Sequence, residues 1–182
     1  MSNALSGKKI AILVENGFEQ SEMTSPKAAL EQAGAQVDIV SSVKDEVKGW
    51  QKGNWGDAFA VDVPLEQASP QQYTALVLPG GVMNPDYLRL NNKAIEFIKF
   101  FVQQQKPIAA ICHGPWTLIN AGAVKGRKMT SWPSIKLDLI NAGAEWVDQE
   151  VVQDGQLITS RKPDDLPAFN QAMIALFSQV ES

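Results

Sequence analysis

Ile108-Ala109-Ala110-Ile111-Cys112-His113-Gly114-Pro115 is the stretch from which the rest of this chain is read. It holds the only cysteine and the only histidine of the 182 residues, side by side. An apolar run leads into them, and Trp116 to Ala121 continues as a helix until Gly122. A buried strand, a sharp turn bearing a nucleophile and then a helix form a nucleophile elbow, which lifts one side chain above the end of a sheet. The bent backbone wants small neighbours, and Ala110 and Gly114 stand two positions either side of Cys112. The helix N-terminus behind the turn favours negative charge and hence a thiolate. Two readings of Cys112 stand at this point. A free cysteine ending an apolar strand is commonly a small core hydrophobe. The adjacent histidine and the Gly-Pro that follows favour chemistry. Neighbouring side chains of a regular strand point to opposite faces, so the two can meet only where an elbow breaks that alternation.

Working outward, Ile10 to Val14 is a continuous apolar run, as in a strand buried on both faces. Ser25-Pro26 reads as an N-cap with proline in the first turn, opening a helix through Leu30 and Ala33 to Gly34. Val37 to Val40 is a second strand. Lys44 to Asp62, rich in glycine and tryptophan, reads as a small hairpin or flap. Ala75 to Leu78 is another buried strand, stopped by Pro79-Gly80-Gly81. Asn91 to Gln105 has a helical period, as do Ser134 to Ala142 and Asp165 to Val180. Val151-Val152 and Leu157 to Thr159 flank Asp154-Gly155, a hairpin signal.

Alternating strands and helices predict an α/β fold with a parallel sheet and helices on both faces. Ligands of such sheets sit at the carboxyl ends of the strands. The loops there are Glu15 to Glu22, Pro79 to Asp86 and Cys112 to Gly114. Phosphate-loop and dinucleotide glycine patterns are absent.

Composition narrows the function. A net charge of −4 and the lack of a basic run argue against a nucleic-acid partner. No apolar stretch reaches the ~20 residues needed to cross a bilayer, so no membrane partner is expected. Met1 to Lys9 has no apolar core of a secretory signal, and a single cysteine precludes an internal disulfide, which makes the cytoplasm the expected location. One histidine and one cysteine cannot build a zinc site of the usual nitrogen and sulfur type, so neither metal nor cofactor is expected.

The chain resembles the ThiJ/PfpI family of the class I glutamine-amidotransferase-like superfamily. The resemblance is carried by Gly17-Phe18-Glu19-Gln20-Ser21-Glu22, Leu78-Pro79-Gly80-Gly81, Ala110 to Pro115, Thr130-Ser131-Trp132-Pro133 and Asn141 to Asp148. It runs from Lys8 to Phe177 and is strongest toward the PfpI branch of intracellular proteases and general stress proteins. It implies one domain over residues 1–182, with 1–7 as a flexible tail. The implied fold is a flavodoxin-like three-layer sandwich, with a mostly parallel central sheet and a nucleophile elbow.

It also implies roles. Cys112 is the nucleophile, Glu22 contacts it, and the backbone N–H groups of Gly81 and His113 form an oxyanion hole. His113 is the general base or acid. In the PfpI branch an acidic residue of the neighbouring subunit orients the histidine, and Asp86 stands where a glutamate is usual. Asp86 equally suits a carboxylate at a helix N-terminus. Trp116 and Trp132 read as core aromatics or pocket walls, the core being favoured.

The expected function is a Cys-His enzyme acting on small reactive carbonyls or their protein adducts, glyoxalase-III-like or deglycase, in a stress response. Peptidase or amidase activity is the alternative on the same residues. A redox sensor with an exposed, low-pKa thiolate, or a stress chaperone, is the alternative of another class. The expected partners are a small carbonyl or peptide substrate and further copies of the chain, as a homodimer or a higher homo-oligomer such as a hexamer.

Overall fold

A computed structural model describes residues 3–181. In chain order the elements are β1 (Lys9–Leu13), β2 (Phe18–Glu19), α1 (Gln20–Gln32), β3 (Gln36–Ser41), β4 (Glu46–Gln51), β5 (Asn54–Ala60) and β6 (Val63–Pro64). Then come β7 (Ala75–Leu78), α2 (Met83–Leu90), α3 (Asn92–Gln103), β8 (Ile108–Ile111), α4 (Trp116–Asn120), β9 (Lys128–Met129) and α5 (Lys136–Asn141). The chain closes with β10 (Glu145–Trp146), β11 (Val152–Asp154), β12 (Leu157–Ser160) and α6 (Leu166–Ser178).

Seven strands form the central sheet in the order β11-β12-β8-β7-β1-β3-β6. All pairs are parallel except β11 with β12. The continuous apolar runs arise because successive residues feed opposite cores. Ala11, Leu13, Leu76, Leu78, Ile108 and Ala110 face one core, closed by Phe97 and Phe101 of α3, Leu118 of α4 and Leu139 of α5. Ile10, Ile12, Val77, Ala109 and Ile111 face the other, closed by Met23 and Leu30 of α1 and by Phe169, Met173 and Phe177 of α6. This is the three-layer, mostly parallel α/β sandwich of the sequence reading. Because β1, β7 and β8 are neighbours and run the same way, the loops that follow them meet at one end of the sheet.

Two local readings are corrected. Helix α1 starts at Gln20, not at Ser25, and carries Pro26 in its interior. Proline costs the helix one internal hydrogen bond, but Met23, Pro26 and Leu30 are buried, and that packing holds the helix. Sequence reasoning took a helical proline for a helix start. The expected tail is instead anchored at Leu5, with the other residues of 3–7 exposed. Leu5 is fully buried and its N–H donates to Ala33 O at 2.9 Å. Residues 1 and 2, also in that expected tail, lie outside the described residues.

The Gly/Trp-rich segment is a hairpin, β4–β5, joined through β4 to β2 in a separate three-stranded sheet. Gln20, at the start of α1, fastens it. Gln20 Nε2 donates to Asp57 Oδ2 and Asp57 N donates to Gln20 Oε1, both at 2.8 Å. A Cβ on Gly56 would lie 2.1 Å from Gln20 Oε1, so glycine makes room for this clasp.

Candidate active site

Cys112 follows β8 with φ 65°, a left-handed conformation uncommon for residues other than glycine. The surrounding backbone fixes it from both sides. Its N–H donates to Ser160 O at 3.0 Å, and its C=O accepts from Trp132 N at 2.9 Å. Gly114 N donates to Ile111 O at 2.9 Å, closing the turn. A Cβ on Gly114 would stand 2.3 Å from Leu78 O, so the elbow can pass this close to β7 only with glycine there. The turn breaks strand alternation as the sequence suggested, and Cys112 Sγ lies 3.3 Å from His113 Nδ1.

Glu22 projects from the first turn of α1 and is fully buried. Its Oε1 accepts from Gly80 N at 2.9 Å, while Oε2 has no hydrogen-bond partner. Gly80 packs against both this carboxyl and the nucleophile, which lie side by side. A Cβ on it would lie 2.6 Å from Glu22 Oε1, 2.7 Å from Cys112 Cβ and 2.9 Å from His113 N. Burial pushes Glu22 up to about 8, opposed by the Gly80 N–H and reinforced by the charge of Glu19. At neutral pH Glu22 therefore holds a proton.

Burial also pushes the Cys112 thiol up, and a charged Glu22 would push it further. The N–H groups of Gly81 and His113 face the sulfur and pull it back down. Two negative charges cannot share this space, so the pair keeps one proton. With that proton on Glu22, its charge no longer opposes a thiolate. The sulfur-bearing residue is not the exposed cysteine expected for a redox sensor. Cys112 is 6% exposed. Helix α4 has only five residues, so the donors that favour the thiolate are loop amides and not a long helix dipole.

His113 is buried, and burial lowers its pKa, which keeps the imidazole neutral. Its Nε2 lies 3.4 Å from Ser134 Oγ. A hydroxyl can donate or accept, so Ser134 suits either tautomer as the proton moves. The ring packs against Trp116, with centroids 5.5 Å apart, and stacks on Trp132 at 6.1 Å and 25°. Trp132 is a pocket wall, contrary to the favoured core reading. Asp86 is exposed in the first turn of α2 and does not line the cavity. Within one chain, His113 has Cys112 and Ser134 as partners and not Asp86.

The sulfur opens into a cavity of about 600 Å³. Besides Cys112, His113, Glu22, Gly81 and Trp132, its walls include Glu19, Trp50 of the hairpin, Met83 and Pro163. Sequence reasoning missed Ser134, Glu19 and Trp50 as parts of this site. Nothing in the surroundings of Ser134 or Trp50 marks them, whereas Glu19 stands within the Gly17 to Glu22 motif without a role of its own. Gly81 has φ 77°, and a Cβ there would meet Gly17 O at 2.4 Å, so its N–H reaches the sulfur only because it is glycine. Among the described residues no group of three or more His, Cys, Asp or Glu converges as a metal site. No helix among them is long and apolar enough to cross a membrane.

Residues 8–176 match the model of the DJ-1/PfpI family. General stress protein 18 of Bacillus subtilis is 44% identical over 176 residues, covering 95% of this chain and 99% of that protein. Protein/nucleic acid deglycase 2 of Escherichia coli is 46% identical over 171 residues, covering 93% and 97%. Among solved structures, Drosophila melanogaster DJ-1beta superposes with a TM-score of 0.86 at 27% identity, covering 98% of this chain and 91% of that one.

Proposed function

Because the chain belongs to the DJ-1/PfpI family, we propose that it is a cysteine-dependent enzyme acting on small reactive carbonyls or on their adducts with proteins. The observation that carries this reading is the convergence on one sulfur of the Gly81 and His113 N–H groups, the His113 imidazole at 3.3 Å and the buried carboxyl of Glu22. In this reading the Cys112 thiolate adds to an aldehyde carbon. The C–S bond forms as the C=O π bond opens, and the oxyanion takes the two N–H donors. A proton delivered by Glu22 completes the hemithioacetal. For a dicarbonyl, neutral His113 then moves a proton between the two carbons, and water releases a hydroxy acid and the thiol. The cavity of about 600 Å³ fits a small molecule. Cys112, 6% exposed and opening into that cavity, is accessible to a small carbonyl and poorly placed for a folded main chain. The deglycase name of the Escherichia coli relative supports the same chemistry.

The active form in this reading is a homodimer or larger ring in which Asp86 of one copy meets His113 of the next. Exposed Tyr87 and Leu90 on α2 and Leu137 and Ile140 on α5 offer apolar surface for such contact. Methylglyoxal turnover by the wild type and by Cys112→Ala and His113→Ala tests the chemistry. Loss of turnover in both is expected. Turnover surviving in His113→Ala removes the acid-base role. Cleavage of a fluorogenic peptide with no methylglyoxal turnover moves the site to peptidase chemistry. Mixing inactive Cys112→Ala with Asp86→Ala tests the shared site. Subunit exchange in a dimer restores about a quarter of the wild-type sites, whereas a site complete within one chain gains nothing.

A further inference from the structure

Among the described residues no lysine or arginine lines the cavity in front of Cys112, whereas Glu19 and Glu22 both do. Glu22 is committed to Gly80 and to the sulfur. Glu19 has no such commitment. It stands at the N-cap of α1 but makes no side-chain cap bond, and its carboxylate has no hydrogen bond or ion pair. Two indoles, Trp50 and Trp132, complete the walls. Indole faces attract cations and offer nothing to anions.

Of the cations near the wall residues in sequence, Lys48 and Lys52 beside Trp50 are exposed and do not line the cavity, and the two beside Pro163 are paired with carboxylates. Arg161 and Lys162 adjoin Pro163 in sequence. Arg161 binds Asp165 at 3.0 Å and Asp148 at 2.8 Å, and Lys162 Nζ lies 3.9 Å from Asp164. The positive potential within the site comes from the N–H groups of Gly81 and His113, and both are aimed at the sulfur. A carboxylate or phosphate beside the reacting carbon would meet Glu19 with no donor to offset it.

We infer that the pocket selects by charge: Glu19, with Trp50 and Trp132, admits cationic and neutral carbonyl compounds and rejects those bearing a carboxylate or phosphate beside the reacting carbon. The disfavoured class is 2-oxo acids and phosphorylated carbonyls. This rests on the reading of Cys112 as the reacting group, but not on which carbonyl it turns over.

The test uses three methanethiosulfonates, neutral, trimethylammonium-bearing and sulfonate-bearing. Each transfers its thiol half to the Cys112 thiolate and releases methanesulfinate. Cys112 is the only cysteine, so labelling of the intact protein reports one site. Rates are divided by those of a neutral small thiol. The cationic reagent is expected to react roughly tenfold faster than the anionic one at low salt. Glu19→Gln is expected to shrink that ratio about threefold or more, as does high salt. Because Glu19 also raises the proton affinity of Glu22, the variant shifts all three rates, and the ratio cancels that shift. A wild-type ratio near one, or a ratio unchanged in Glu19→Gln, overturns the inference. Failure of all three reagents to label Cys112 overturns it together with the proposed function. Absence of methylglyoxal turnover with the ratio intact overturns only the choice of carbonyl.

Discussion

The elbow around Cys112 and the β4–β5 hairpin border the same cavity and are held in opposite ways. The elbow is buried. Its backbone is pinned by Ser160 and Trp132, and it passes Leu78 at a distance that only glycine allows. The hairpin is largely exposed. It brings Trp50 to the cavity through the short pairing of β4 with β2, Glu19 opposite Trp50, and is fastened further by the two-bond clasp between Gln20 and Asp57 and a few buried residues such as Val47. A group that must hold a strained nucleophile needs surroundings that cannot relax. A wall that only shapes access can be fastened at its edge. Damage to the elbow should thus remove chemistry, and damage to the hairpin should change binding.

The sharpest break is Cys112→Ala, expected to lower turnover ~10³-fold or more while thermal unfolding still shows one cooperative transition. Turnover within tenfold of wild type would mean that the elbow is structural. Next is Gly114→Ala, whose Cβ would sit 2.3 Å from Leu78 O and 2.9 Å from Ile111 O. Both are backbone atoms, so the strand or the turn has to shift. A loss of about 1–3 kcal/mol is expected in denaturant melts, from overpacking, together with most of the activity. Unchanged stability would show that the close passage is not a constraint.

Glu22→Gln separates the acid from its packing. Glu22 is raised from 4.5 to about 8 in the fold. Its contribution to stability is full below the unfolded value and is lost as pH rises through the folded one. The variant does not titrate there, so its Tm should gain on the wild type between about pH 5 and pH 9. Comparing the two in a Cys112→Ala background keeps the thiol from titrating with it. A difference flat across that range would mean that Glu22 is not held protonated. The smallest effect is expected from Gln20→Ala, which opens the clasp. It should cost about 1 kcal/mol of stability and raise KM several-fold with little change in kcat. A fall in kcat matching that of the elbow variants would erase the distinction between the two regions.

The same contrast explains what could be read in advance. Ile10 to Val14, Ala75 to Leu78 and Ile108 to Ile111 are apolar on both faces, and that alone places them in a central sheet. Cys112 and His113 show their chemistry locally, Glu22 and Gly81 are legible only through the family resemblance, and the fold brings the four together. Ser134 and Trp50 carry no such mark, and Glu19 lies within the Gly17 to Glu22 motif, which gives it no role. A serine after proline, a glutamate before a helix and a tryptophan in a hairpin are ordinary in isolation. They become neighbours of the sulfur only through strand order. The start of α1 was hidden for a related reason. Ser25-Pro26 imitates a cap, and tertiary packing overrides the local signal.

The left-handed backbone at Cys112 also bears on descent. Glycine adopts that conformation without penalty, whereas a cysteine there is under strain of order 1–2 kcal/mol. Replacing it with glycine would relieve the strain and remove the buried sulfur beside Glu22. In a lineage that no longer needed the reaction, mutation would thus have a favourable direction at this position, toward a quieter protein of the same shape.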